Sequence, residues 1–496
     1  MISGNFLLSL MLFTPLVSAL VVFALGKQEK QARALALLGS LIPLACSLLM
    51  LNGYRWGTVE LQFVEKWAWI EDFGITYYLG IDGLSMPLVI LSTLLTTLTI
   101  LFSWDVHHRV REYMCLLLIL ETGILGVFIS LDFFLFYLFW EIVLLPMYFL
   151  IAEWGGPRRR YAAIKFFIYT HVASLVMLVG IIAIYFNAGE QLGYYTFNMM
   201  EIMQKVSFAR HFQLLVFPAL FFGFAVKIPV VPVHTWLPDA HVEAPTGGSV
   251  MLAGVLLKMG GYGLIRIAFG LMPEAVRFYA WSMAVVGVVS MVYGALLALA
   301  QDDLKKMIAY SSVSHMGSVV LGLAALNVMG FNGAIFQMFA HGLISAMLFM
   351  LCGILQHSVH TRLISGLGGV ASRIPRLSVF FVFAFFASLG LPGLAGFIAE
   401  LTVYIGAFST YQTLTLIAIV SVVLTAAYYL WALERAFFGP YNEELGEHPH
   451  DLYWFQTVPL VLLTALILFF GLYPAPVMDM VDVSSRFILQ IVGGAF

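Results

Sequence analysis

Charge is scarce in this chain: of 496 residues only 10% are Asp, Glu, Lys or Arg, with 24 basic against 27 acidic. Intrinsic disorder is excluded, because a disordered chain needs charge and polarity to stay solvated. A net charge of −3 offers no basic footprint for nucleic acid, so no nucleic-acid partner is expected. Cysteine is scarcer still. Cys46, Cys115 and Cys352 are too few for a four-thiolate iron–sulfur cluster and far apart in sequence, so they read as small core residues. The chain lacks a Walker A pattern and a Gly-x-Ser-x-Gly elbow, and Gly366-Leu-Gly368-Gly369 follows no strand that would make it a dinucleotide fingerprint. Missing too is any long polar stretch from which a soluble domain could be built.

What is abundant is apolar surface. Hydrophobic residues make up 61% of the chain, enough for about fifteen bilayer crossings at roughly 20 residues each. Apolar stretches bounded by charge or Gly/Pro predict fourteen spans, near residues 5–25, 32–52, 84–104, 113–131, 133–152, 162–187, 213–240, 246–270, 278–300, 305–325, 331–357, 377–406, 411–437 and 456–476. Connections are short except 53–83, 188–212 and 438–455. The first stretch, Met1 to Gly26, has no basic residue before Lys27 and reads as an uncleaved span rather than a secretory signal. With the N-terminus outside, inner loops hold fourteen basic residues, among them Arg158, Lys305 and Arg362, and outer loops hold six, among them Arg486. That asymmetry predicts that both termini lie outside, which is the periplasmic side of a bacterial inner (plasma) membrane.

A weak internal repeat is visible. Phe166-x4-His171-x5-Met177-Leu178 recurs as Phe336-x4-His341-x5-Met347-Leu348, and Phe224-Ala225 running to Pro229 recurs as Phe386-Ala387 running to Pro392. An offset of five spans, an odd number, inverts one half relative to the other, a design common to secondary transporters. The expected fold is an all-α polytopic membrane protein with two inverted five-helix repeats, helices 4–8 (residues 113–270) and 9–13 (271–437). A three-helix segment (1–112) precedes them, and a loop with helix 14 (438–496) follows. Each repeat has one broken helix. Pro229 and Pro232 interrupt the seventh span, and Pro392, Gly393 and Gly396 interrupt the twelfth. Proline removes a backbone donor and obstructs the preceding turn, so carbonyls and amides are left unpaired where protein or water must solvate them. A plain proline kink is the simpler alternative. Against it stands the pairing of the two breaks across the repeat, each with an ionisable neighbour, Lys227 or Glu400.

Eight ionisable residues stand out away from the loops: Glu121, Glu141, Lys165, His171, Lys227, Lys258, His341 and Glu400. A charge at mid-bilayer costs at least roughly 2.5–3.5 kcal/mol, so these side chains face the protein interior or water. Lys165, within a turn of the inner boundary, and His171 read as structural, Lys165 with a snorkelling route to the interface. Lys227, Lys258, His341 and Glu400 lie near mid-span or at a break and read as functional. A lysine in an apolar wall whose carboxylate partner comes and goes would load and release a proton, and Glu141 is the candidate for that carboxylate. Lysine, histidine and glutamate linked by water along the midplane would make a lateral proton wire.

Other clusters carry less. Ser311, Ser312, Ser314 and His315 follow Asp302-Asp303-Leu-Lys305-Lys306 at the tenth span, and read equally as a capped, tightly packed helix or as a hydrated half-channel. His107-His108, His357 with His360, and His448 with His450 are loop histidines with no converging ligands, so no metal site is expected. Nothing in the sequence hydrolyses ATP or carries electrons, while moving a charge costs about 2.3 kcal/mol per 100 mV. A pump built on this chain needs a driving partner.

The stretch from His234-Thr-Trp236-Leu-Pro238-Asp239-Ala-His241-Val-Glu243-Ala-Pro245 to Gly254-Val-Leu-Leu-Lys258 resembles the signature of the antiporter-like membrane subunits of proton-pumping NADH:quinone oxidoreductase, respiratory complex I. Gly80-Ile-Asp82-Gly83-Leu-Ser85 and Asp303-Leu-Lys-Lys306 to Ser314-His315 agree. The likeness runs over nearly the whole chain and favours the chain M branch over the paralogous chains L and N; chain L would carry a long lateral helix after its last span. The resemblance implies that Glu141 on the fifth helix tunes Lys227 on the seventh. It makes Lys258 the connecting lysine, His341 a linking residue, Glu400 the residue facing the outer exit and Glu121 a further carboxylate. It also implies that FMN, iron–sulfur clusters, NADH and quinone belong to other subunits, with no cofactor in this chain. The implied partners are membrane lipids and the other membrane-arm subunits, chains L and N included. A multi-subunit Na+/H+ antiporter or a membrane-bound hydrogenase complex is the alternative setting.

Overall fold

The computed structural model describes residues 6–446 and 449–493, so His448 lies outside the described residues. The chain begins with α1 (Leu7–Leu25) and α2 (Glu29–Gly53), then β1 (Gln62–Ile70) and β2 (Ile75–Ile81). Next come α3 (Met86–Phe102), α4 (Val110–Ile129), α5 (Phe133–Ile142), α6 (Leu144–Trp154), α7 (Arg159–Leu192) and α8 (Met199–Lys205). The seventh span is α9 (Arg210–Lys227) followed by α10 (Trp236–Glu243), and the eighth is α11 (Thr246–Met251) leading through a π-turn into α12 (Leu257–Gly263). After these lie α13 (Pro273–Leu299), α14 (Leu304–Ala324), α15 (Val328–Val359), α16 (Pro375–Ser388), α17 (Ala395–Thr410), α18 (Gln412–Phe437), α19 (Trp454–Leu472) and α20 (Ala475–Val492). Twelve stretches among the described residues are long and apolar enough to cross a membrane. Two more crossings are made of shorter pieces, α9 with α10 and α16 with α17, so the fourteen expected spans are all present.

Two elements depart from the expected layout. The connection 53–83 is a β-hairpin rather than a loop: β1 and β2 pair antiparallel, with Trp67 opposite Tyr77, around a turn in which Gly74 has φ +65°. Glu65 of β1 points back at the N-terminus of α1 and accepts from Leu8 N at 2.8 Å, a carboxylate at the positive end of a helix. The second departure is α20, placed by sequence in a tail beyond the last helix. Its polar residues interrupt the hydropathy, yet Val477, Met480, Val481, Ile488 and Leu489 form a buried stripe. Asp482 accepts from Asn332 Nδ2 at 2.8 Å, and a Cβ on Gly83 would lie 1.9 Å from Met480 O, so α20 is seated on α15 and on the turn before α3. Arg486, counted with the outer loops, lies on this helix.

Small residues let the spans approach closely, as membrane helices require. A Cβ on Gly317 of α14 would lie 2.7 Å from Gly287 O of α13, and one on Gly287 would lie 2.9 Å from Gly317 O. Backbone there touches backbone. Cys46, Cys115 and Cys352 are buried and unpaired.

Both expected breaks are present, and a third was not foreseen. Between α9 and α10, Pro229 and Pro232 leave 228–235 non-helical, and the Trp236 indole donates to the freed Val226 carbonyl at 3.0 Å. Between α16 and α17, Gly390 (φ +82°) and Gly393 (φ +94°) adopt left-handed backbone around Pro392. The fifth span divides at Val143 into α5 and α6. Pro146 has no N–H to return to the Ile142 carbonyl and its ring crowds that carbonyl, which is enough to interrupt the span two residues past Glu141. The eighth span contains two π-turns, Leu252–Leu256 and Leu264–Phe269, on either side of the segment bearing Lys258. Hydropathy carries no signal for either.

Candidate functional site

The intramembrane polar residues form two groups. The first surrounds the break in the seventh span. Lys227 is the last residue of α9, buried at 2% exposure, and its Nζ has no hydrogen-bond partner. It lies over the Trp140 ring, whose centroid is 5.2 Å away. Glu141 follows Trp140 on α5. Its Oε2 is 2.9 Å from Nδ1 of His171 on α7, and its Oε1 is buried without a partner. The carboxylate expected to accompany Lys227 is therefore held by His171. α5 is anchored by Asp132, which accepts from Phe134 N at 2.9 Å with one oxygen and from Thr76 N and Oγ1, both at 2.9 Å, with the other. That single residue caps α5 and ties it to the hairpin.

Lys165 and the half-helix beyond the break are also joined. Lys165 Nζ meets Asp239 Oδ2 of α10 at 2.6 Å, both about one-fifth exposed, so this lysine is an ion-pair partner rather than a snorkelling one. The far end of α10 is held from the second half of the chain. Lys305 Nζ donates to Ala244 O at 2.6 Å, and Arg362 donates to Val242 O at 3.0 Å while pairing with Asp303 at 2.6 Å. Lys305 is buried at 4% exposure, which corrects its assignment to an inner loop. Its position two residues after the helix-capping Asp303 points it back into the protein.

The second group is continuous. Lys258 Nζ, fully buried, bonds Ala253 O and lies 2.8 Å from His341 Nδ1. The His341 ring centroid is 5.6 Å from that of His315. His315 Nδ1 lies 2.9 Å from Glu400 Oε1, and its Nε2 lies 3.2 Å from Ser388 Oγ. Ser388 donates onward to Tyr429 at 2.9 Å, and Tyr429 to Ser311 at 3.0 Å. His315, Gln337, His341, Ser388, Gly396 and Glu400 line a cavity of about 10 Å³. That is about the room one water needs, and the unpartnered Gln337 Oε1 supplies a polar wall for it. The tenth-span cluster, read two ways from sequence, thus splits: Asp303 caps α14, while His315 joins the line of ionisable groups.

No hydrogen bond joins Lys227 to the second group. Their helices touch nonetheless, since a Cβ on Gly260 of α12 would lie 2.8 Å from Phe224 O of α9. Glu121 stands apart on α4, fully buried with neither oxygen bonded. His241 was not singled out from sequence. Both its ring nitrogens are buried and unpartnered, and the ring stacks on Phe349 at 4.3 Å. A histidine seven residues after His234, on the short piece beyond a double-proline break, was the available signal. Among the described residues no three His, Cys, Asp or Glu side chains converge as metal ligands.

Comparison with known proteins places this arrangement. Residues 130–425 match the family described as NADH:quinone oxidoreductase/Mrp antiporter, transmembrane. The chain is 43% identical to F(420)H(2) dehydrogenase subunit M of Methanosarcina mazei over 98% of each chain. It is 41% identical to NADH-quinone oxidoreductase subunit M of Rhodobacter capsulatus over 98% of this chain and 96% of that one. Its structure superposes on a chain of respiratory complex I from Thermus thermophilus with a TM-score of 0.88 at 28% identity, covering 98% of this chain and all of that one. A chain of the Mrp complex from Dietzia sp. shares the fold, with a TM-score of 0.86 at 21% identity over the full length of both. The chain belongs to the NADH:quinone oxidoreductase/Mrp antiporter membrane-subunit family and, within it, to the M-type, antiporter-like subunits.

Proposed function

We propose that this chain moves protons outward across the plasma membrane along two coupled segments. Glu141 and Lys227 form the loading segment, and Lys258, His341, His315 and Glu400 form the delivery segment, with Glu400 at the outer exit. The observation that carries this reading is the line from Lys258 to His341 and from His315 to Glu400, hydrogen-bonded at each end, with the two imidazole rings 5.6 Å apart at its middle and a small polar cavity beside them. The outer steps are at hydrogen-bond distance, and a water in the cavity between His341 and His315 would bridge the middle one, as stepwise proton transfer requires.

Lys227 and Lys258 lie on helices in contact, so a proton arriving on Lys227 raises the electrostatic cost of one held on Lys258 and favours its movement toward His341. The break after Lys227 leaves a flexible joint in which its ammonium gains or loses Glu141. The path runs through two five-span units, residues 113–270, which hold Glu141, Lys227 and Lys258, and 271–437, which hold His315, His341 and Glu400; the units are inverted with respect to each other, with 1–112 and 438–496 flanking them. Both termini lie on the periplasmic side in this reading, consistent with the distribution of basic residues.

This chain contributes no redox centre of its own in this reading. FMN, iron–sulfur clusters and the quinone site belong to other subunits of the complex, and the energy reaches this chain through adjoining membrane-arm subunits, the paralogous chains L and N among them. The donor oxidised by the complex is set elsewhere, as relatives named for NADH and for F(420)H(2) suggest. The test is Lys258→Met in the assembled complex, in inverted membrane vesicles, with pumping read by quenching of a pH-sensitive dye per donor oxidised. Loss of most of the quenching supports the path, and unchanged quenching refutes it. Purification of the native complex separates the redox-driven setting from a cation antiporter: flavin and iron–sulfur centres are expected to co-purify.

A further inference from the structure

We propose that His171 is the alternative partner of Glu141, a positioning residue that decides whether Lys227 has a counter-ion. This rests on the reading above, in which Glu141 tunes Lys227. Three observations carry it. Glu141 spends one oxygen on His171 Nδ1 at 2.9 Å, while its other oxygen is buried and unbonded. Lys227, which has most to gain from that carboxylate, is buried and unbonded as well, with the Trp140 ring 5.2 Å from its ammonium. The imidazole is held ready for the contact: the Phe167 ring stacks on it at 5.4 Å with 17° between planes.

A buried carboxylate oxygen and a buried ammonium, the ammonium against the ring of the residue next to that carboxylate, are each costly when unpaired, and a contact between them would satisfy both. The carboxylate therefore has two stations. On His171 it leaves Lys227 bare and disposed to pass its proton on. On Lys227 it holds the ammonium and the proton. The two stations differ in surroundings. His171 and Glu141 are 39% and 24% exposed at the lateral face of the chain, whereas Lys227 is inside. The face on which His171 sits is where a neighbouring membrane subunit or water can reach the pair, so an event outside the chain can bias the exchange. α7 bears this contact six residues from Lys165, whose bond to Asp239 fixes the far side of the break. One helix thereby holds both Glu141 and α10.

The contact uses Nδ1, and the amide nitrogen of asparagine occupies that place in the side chain. Asparagine and leucine have nearly the same shape, so His171→Asn and His171→Leu differ chiefly in whether a donor remains. In the intact complex in inverted vesicles, His171→Asn is expected to retain at least half of the dye quenching per donor oxidised, and His171→Leu to fall to about one-fifth or less. Leucine is also at home on a lateral membrane face, so assembly is not at issue. The carboxyl infrared band that disappears in Glu141→Gln should shift in His171→Leu and keep its wild-type frequency in His171→Asn, a signature that a packing role would not produce. Full pumping in His171→Leu overturns the proposal, as does equal loss in both variants, which would make the histidine a proton carrier instead. If Glu141→Gln itself pumps normally, it is the underlying reading of Glu141 that fails. If Glu141→Gln is inactive and His171→Leu is active, only the inference about His171 fails.

Discussion

His315 is where the delivery segment is most exposed to a quantitative test. It sits between His341 and Glu400, 5% exposed, with both ring nitrogens engaged. A 2.9 Å contact between Nδ1 and Glu400 Oε1 puts the charge centres about 4 Å apart, where unit charges attract by about 4 kcal/mol at an effective dielectric near 20. Replacing His315 by Leu removes it and breaks the line between Lys258 and the exit. Glu400 then holds whatever proton it has without a base to exchange it with. The expected outcome is an assembled complex in which donor oxidation persists in detergent while dye quenching per donor oxidised in inverted vesicles falls at least tenfold. Quenching within a factor of two of wild type would mean that protons leave by a route avoiding His315, and the delivery segment as drawn would be wrong.

Other perturbations follow from the same geometry. Glu400→Gln should lose most pumping, whereas Glu400→Lys should keep a part of it, because a lysine is still protonatable; the same vesicle assay compares them. Gly317→Ala forces a methyl to within 2.7 Å of the Gly287 carbonyl and should destabilise the α13–α14 contact by about 1–3 kcal/mol, read as a lower unfolding temperature of the solubilised complex. Lys305→Met removes the donor from Ala244 O and loosens the end of α10, so proteolytic nicking between Glu243 and Thr246 should rise while the rest of the chain stays resistant. Pro146→Ala restores the donor missing from the fifth span and should straighten it, displacing Glu141 from His171; the Glu141 carboxyl infrared band is the readout, and an unmoved band would count against the proline as the cause of the division at Val143.

The sequence made the spans legible because a bilayer imposes the same demand on all of them: roughly twenty apolar residues with their backbone satisfied internally. Lys227, Lys258, His341 and Glu400 were legible for the converse reason, as charges where charge is expensive. Elements governed by packing rather than by the bilayer were not. α20 has a buried stripe but mixed composition, and the hairpin of β1 and β2 depends on what Glu65 and Asp132 reach across the chain. The π-turns leave no compositional trace. His171 reads as a structural residue, and its bond to Glu141 agrees with that, but the identity of this partner, thirty residues earlier, could not be found from spacing alone. Lys305 was misplaced because a basic residue near a span end reads as a loop residue, whereas a helix cap two residues earlier turns its side chain inward.

The π-turns around Lys258 set a limit on how the delivery segment can be rearranged. Each is an α-helix carrying one surplus residue, so the segment Leu257–Gly263 is phased differently from either end of its own span. If the surplus at Leu252–Leu256 were passed along the helix to the other side of Lys258, that side chain would swing by about 100° and advance about 1.5 Å, while both ends of the span stayed where they are. The lysine would leave His341 and face another neighbour without any helix moving as a body. A rotary connection of this kind needs no domain motion and no change in the shape that the chain presents to adjoining subunits.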